Sequence, residues 1–205
     1  MEKKIILDLC GGTGAWSKPY ADAGYDVRVI SLPQYDVMTY QPPKNVYGIL
    51  AAPPCTMFSL ARTTAKTPRD FHKGMEVVEA CMRIIWECRK QDKLAFWAVE
   101  NPMGYLRQFL GKPAMTFDPS EFGGDYNKTT DLWGYFNEPK RGKKIRHDST
   151  DKNTRKLPPI PGEYIRDSAM TPLQIRRSIT NDGFAKAFFK ANHYKATEAR
   201  KNKSN

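Results

Sequence analysis

Short, largely apolar runs alternate along this chain with segments of helical periodicity, and that alternation narrows the folds open to it. "KKIILDL", "YDVRVISL", "NVYGILAA" and "KLAFWAVE" each read as a strand. Between the last two lies "DFHKGMEVVEACMRIIWECRK", with Val78, Cys81, Met82 and Ile85 at helical spacing. Strands that lack polar alternation are buried on both faces. The pattern therefore predicts an α/β fold, a mostly parallel sheet with helices on both faces. A short helix is expected over "WSKPYADAG", closed by Gly24. Past Pro102 the pattern changes, and "MTFDPSEFGGDYNKTTDLWGYF" suggests hairpin-like strands around a glycine turn. "TPLQIRRSI" and "DGFAKAFFKANHYKATEARK" read as closing helices.

The length of 205 residues suits a single domain spanning 1–205. No apolar run approaches the length of a membrane span, and "MEKKIILDLCGG" reads as a buried strand, not a signal peptide. The four cysteines include no Cys-x-x-Cys, and the three histidines stand far apart, which argues against a zinc site. Cys81 and Cys88 share a helical face and are expected in the core. A reduced, cytoplasmic protein is the default reading.

The net charge of +11 is concentrated. Lys140 to Lys156 holds eight Lys or Arg against two Asp, and the tail 195–205 holds four basic residues against one acid. Segment 137–168 reads as a long basic loop belonging to the domain. Its candidate contacts are Lys140, Arg141, Lys143, Lys144 and Arg146, a surface able to neutralise phosphates. A solvated loop and a frayed tail are the plainer reading.

Three local motifs carry chemistry. "DLCGGTGAWS" puts Gly11, Gly12 and Gly14 directly after the first strand, where a backbone turns tightly and can approach a ligand. A nicotinamide fingerprint would need a glycine at Ser17 and an acid near Ser31, so that oxidoreductase class is disfavoured. "APPCTMFSLAR" follows the third strand and "VENP" ends the fourth. Both place a reactive residue type, Cys55 or Glu100, against prolines that stiffen the backbone. In an open parallel sheet both would reach the ligand-binding edge. A buried thiol and a paired carboxylate are the alternatives, weakened because both motifs and the glycine turn fall on one rim. Methylases of exocyclic amines also use a Pro-Pro turn, flanked by an amine acceptor and a stacking aromatic. Here the flanks are Ala52 and Cys55, which points to attack on a ring carbon.

Together these segments resemble the DNA (cytosine-5) methyltransferases, especially small phage-type members without a large recognition domain. "NKTTDLWGYF" and "RRSITNDGFAKAFFKANH" are similar to further segments of such members. The resemblance implies a Rossmann-like fold, S-adenosyl-L-methionine as cofactor and a flipped cytosine in duplex DNA as substrate. It implies Cys55 as nucleophile, Glu100 holding the base, and Lys128 as the nearest stand-in for a base-contacting arginine. Arg62 is expected at a phosphate or at the cytosine carbonyl. Asp8, Cys10, Gly12, Gly14, Trp16, Ser31, Asp36 and Pro54 would line the cofactor, while Ser59 and Asn101 would meet substrate. Ser31 departs from the acid usual there, and the Gln-x-Arg-x-Arg motif is missing. RNA or a free nucleotide as substrate, or a nucleic-acid-binding decoy on the same fold, remain open. No membrane partner and no obligate oligomer are expected.

Overall fold

The computed structural model describes residues 3–63, 65–143 and 172–194. Six strands form one sheet: β1 (Ile5–Leu9), β2 (Asp26–Ile30), β3 (Val46–Ala51), β4 (Phe96–Pro102), β5 (Met115–Phe117) and β6 (Thr130–Tyr135). Their order is β2-β1-β3-β4-β6-β5. The β1–β2, β1–β3 and β3–β4 pairs are parallel, and β6 runs antiparallel to both β4 and β5. The expected mostly parallel α/β sheet is present.

Side-chain alternation along the strands divides the core in two. On one face α2 (Phe71–Arg89) packs Ala80, Cys81, Ile84, Ile85 and Cys88 against Leu7, Leu9, Ile49, Ala51 and Val99. On the other, Tyr20 of α1 (Lys18–Asp22) and Phe184, Ala185 and Phe188 of α5 (Asp182–Asn192) cover Ile6, Leu50, Phe96, Ala98 and Leu132. Helices thus lie on both faces, and Cys81 and Cys88 are core residues as expected. Asp70 caps α2 by accepting from the Lys73 N–H at 2.9 Å, and Asn181 caps α5 by accepting from the Phe184 N–H at 2.9 Å.

Several boundaries differ from the sequence reading. The second strand stops at Ile30, and Leu32 is solvent-exposed. The first helix is confined to Lys18–Asp22, leaving Trp16 and Ser17 in the preceding turn. β5 and β6 are neighbours, but the connection holds a 3₁₀ turn, Pro119–Phe122, ended by Gly123 at φ 79°. That turn is held by a reciprocal cap between Asp118 and Glu121. The last helix ends at Asn192, not beyond it, because His193 is extended. The Asn192 side chain instead bonds the backbone of Asn137, accepting at 2.7 Å and donating at 2.9 Å, which anchors the chain leaving β6. α3 (Arg107–Leu110) and α4 (Pro172–Ser178) complete the described helices. None of the described helices is long and apolar enough to cross a membrane.

Candidate active site

The strand order reverses between β1 and β3: β2 lies on one side of β1, while β3 and β4 continue on the other. Beyond the carboxyl ends of such strands a crevice opens that suits ligands. The glycine turn follows β1, the Pro-Cys loop follows β3, Glu100 lies near the carboxyl end of β4, and Lys128 sits just before β6. Because β6 is antiparallel to β4, Lys128 is brought to the same rim from the opposite chain direction.

The Pro-Cys loop is held from three sides. Ala52 N–H continues the ladder to Leu9 O at 2.9 Å. Asn101, fully buried at the end of β4, donates from Nδ2 to Pro53 O at 2.9 Å. Phe58 is fully buried beside Val78 and Leu106, and burying a ring of that size contributes about 1.5–3 kcal/mol. Downstream, Ser59 bridges Gly104, where an added Cβ would lie 2.2 Å from Phe58 O. Arg69 donates to Met57 O at 2.8 Å and to Ser59 O at 2.9 Å, its guanidinium lying over the Tyr105 ring. The Cys55 carbonyl accepts from Phe58 N–H at 3.0 Å and Ser59 N–H at 2.8 Å, closing a tight turn around the cysteine. The two prolines therefore lead into a fixed turn, with Pro54 exposed and Cys55 half-buried.

Cys55, Glu100 and Lys128 form one electrostatic group. Lys128 Nζ lies 3.4 Å from Glu100 Oε1, with both side chains largely shielded from solvent. Burial pushes the Cys55 thiol above its ordinary value. The Lys128 ammonium opposes that rise, the Glu100 carboxylate adds to it, and the turn's backbone hydrogen bond and Arg177 oppose it. A thiol so placed acts as a nucleophile only when cations and a bound substrate favour the thiolate.

The turn after β1 is built around Asp8. That carboxyl is fully buried; Ser17 Oγ donates to its Oδ2 at 2.5 Å, and Oδ1 has no hydrogen-bond partner among the described residues. Burial raises its pKa to about 6 despite the Ser17 bonds. Gly11 packs directly on it, since an added Cβ would meet the carboxyl at 2.3–2.5 Å. Cys10, Gly12 and Gly14 have φ of 56°, 53° and 68°, a left-handed path that coils the backbone over the strand end. Ser31 Oγ accepts from Gly12 N–H at 3.0 Å, joining the end of β2 to this turn.

The remaining expected residues divide. Trp16, expected at the ligand, is 2% exposed and packs on Phe184 and Phe188; its apolar ring completes the α1–α5 core. Asn101, expected to meet substrate, is sealed beneath the loop and acts on Pro53. Arg62 donates to Thr67 Oγ1 at 2.8 Å within its own loop. Asp36 is exposed and accepts from Met38 N–H at 2.9 Å. Ser59 Oγ accepts from Ala61 N–H at 3.2 Å. Arg141 is engaged by Glu121 and Glu138 at 3.3 and 3.1 Å and by Thr116 O, while Lys140 and Lys143 are exposed. Lys144, Arg146, the rest of the basic loop and the tail after Tyr194 lie outside the described residues.

Two arginines at this rim escaped sequence reasoning. Arg69 sits in a polar stretch with no periodic signal. Arg177 was more accessible: Ile175 and Ile179 are buried at i, i+4, which leaves positions 176–178 facing outward. No protein-family model matches the chain, and no curated protein matches it either.

Proposed function

We propose that this protein is a methyltransferase acting on carbon 5 of cytosine in DNA, with S-adenosyl-L-methionine as cofactor and a Rossmann-like methyltransferase fold. The observation that carries the proposal is the grouping of half-buried Cys55 with the Glu100–Lys128 pair at the strand-order reversal.

The turn after β1 fits the cofactor's methionine end. Asp8 offers a buried, unpartnered Oδ1 to an ammonium group, and the glycines allow close backbone approach. Ser31 and Asp36 follow on the adjoining strand end and loop, where the nucleoside would be held. When bound, S-adenosyl-L-methionine supplies the electrophilic methyl group.

The chain's own residues do the rest. The Cys55 thiolate forms a bond to carbon 6 of the cytosine ring, and the electron pair displaced from the 5,6 double bond makes carbon 5 nucleophilic. Glu100 accepts a hydrogen bond from the exocyclic amine and, in its protonated form, donates to ring nitrogen 3, stabilising the negative charge that develops there. Lys128 keeps Glu100 oriented and favours the thiolate. After carbon 5 is methylated, its proton leaves to a base and the Cys55–carbon 6 bond breaks, restoring the aromatic ring and the thiolate. Asn101 and Arg69 hold the loop through these steps. Lys140 and Lys143, both exposed, would meet phosphates.

A duplex with 5-fluorocytosine at the target position tests this reading. Fluorine at carbon 5 cannot depart as the proton does, so the reaction halts with protein and DNA joined. A covalent adduct at Cys55, dependent on cofactor, is expected by mass spectrometry; its absence with methylated product present would exclude the mechanism.

One observation favours a second reading, a nucleic-acid-binding protein with little catalysis. The Ser31 hydroxyl is engaged by Gly12 N–H and stands where an acid would grip ribose hydroxyls. Calorimetry with S-adenosyl-L-methionine separates the two: no binding at millimolar cofactor would favour the second.

A further inference from the structure

The opposite edge of the sheet carries a separate feature. Lys3 and Lys4 precede β1, Asn45 precedes β3 and Lys93 precedes β4, so three adjacent parallel strands begin at one place with lysines or an amide. These residues, with Tyr47 and Tyr194, line a recess of about 320 Å³. Strands of this length put it roughly 20 Å from the Cys55 rim.

The chemistry of the lining is one-sided. Among the described residues, no carboxylate lines the recess, and Lys3, Lys4 and Lys93 make no ion pair. Asp26, which lines a separate recess on the other side of Lys3, is paired with Arg28 at 2.8 Å. Lys93 Nζ is steadied by Asn45 Oδ1 at 2.8 Å. Lys4 Nζ lies 4.8 Å from the Tyr47 ring centroid and 4.1 Å from that of Tyr194. That contact fixes the ammonium without neutralising it. Tyr194 is itself pinned, its N–H donating to Tyr25 Oη at 2.8 Å, and the residue is 42% exposed. Pre-positioned ammonium groups without acids, beside an exposed aromatic face, suit a phosphate that carries a base.

We propose that this recess is a second anion site that takes the phosphate groups of a nucleic-acid strand or of a nucleotide. It is too far from Cys55 to share the phosphates flanking a cytosine in that site, so a nucleic acid held here is a second segment. The inference stands apart from methyl transfer.

Lysine acetylation read by mass spectrometry tests it on the full chain, with a short DNA duplex, adenosine monophosphate or inorganic phosphate present. Slower acetylation of Lys3 and Lys93, with acid-paired Lys18 and Lys186 unchanged, is expected. Protection by duplex alone identifies the phosphodiester strand as ligand; protection by the nucleotide or phosphate identifies a free phosphate. Unchanged labelling of Lys3 and Lys93 under all three conditions would overturn the proposal. A Lys3→Glu, Lys93→Glu variant is expected to make the negative slope of log affinity against log salt for duplex shallower by about 1.8, as loss of two phosphate contacts requires. An unchanged slope would contradict strand binding. Neither readout depends on catalysis, so failure of the methyltransferase reading leaves it intact, and the reverse also holds.

Discussion

Asn101 Nδ2 donates to the Pro53 carbonyl at 2.9 Å, so the residue after Glu100 holds the backbone two residues before Cys55. Both reactive side chains are thereby set by one buried bond between neighbouring strand ends. Asn101→Ala is expected to lower stability by about 1–3 kcal/mol, because the Pro53 carbonyl loses its buried donor. Methyl transfer should fall more than cofactor affinity does. Urea unfolding, cofactor calorimetry and initial rates check the three effects together.

Lys128 and Glu100 pull on the Cys55 thiol in opposite directions. Lys128→Met removes a lowering influence, so alkylation of Cys55 by iodoacetamide should slow near neutral pH and its rise should move to higher pH. Glu100→Gln removes a raising influence, so alkylation should quicken although methyl transfer is lost. Both wild type and variants should react faster as pH rises from about 6 to 10, since the thiolate is the reacting form. Equal alkylation of all three proteins would show that the groups do not face one another.

Much of this architecture is legible from letters alone. Strand–helix alternation announces a covered parallel sheet because a strand such as "IILDL" has no polar side to give to water. Proline directly before Cys55 and two residues after Glu100 marks segments whose backbone is fixed. What stays hidden is anything decided by atoms distant in sequence. Trp16 reads as part of a ligand turn, yet Phe184 and Phe188, far along the chain, claim its ring. Asn101 reads as a substrate contact because nothing local reveals that Pro53 O lies within its reach. Arg141 reads as a free phosphate contact, while two carboxylates and a carbonyl hold it.

Asp8 gives the folded state an unusual dependence on pH. Its pKa is raised from 3.8 to about 6 by burial, so the folded protein holds a proton that the unfolded chain has lost between those values. Its contribution is therefore full at low pH and declines as pH rises from 3.8 to 6, by roughly 3 kcal/mol. Asp8→Asn keeps an acceptor for Ser17 and has no such proton. Comparing urea midpoints at about pH 4 and pH 7, wild type should lose stability relative to the variant as pH rises. Parallel curves would show that the carboxyl is not buried.

Arg69 acts on the reactive loop through the carbonyls of Met57, Ser59 and Arg62. Arg69→Met should lower kcat while leaving the KM for cofactor near its wild-type value, and Arg69→Lys should restore part of the rate. A rise in cofactor KM with kcat unchanged would show that this side chain does not position the loop.

The most direct measurement of the central claim is nucleoside analysis of duplex DNA incubated with protein and methyl-labelled S-adenosyl-L-methionine. Label is expected in 5-methyl-2′-deoxycytidine alone, and Cys55→Ala should lower it by more than about a thousandfold. Label on the exocyclic amine or on another base, or full activity in Cys55→Ala, would contradict the account.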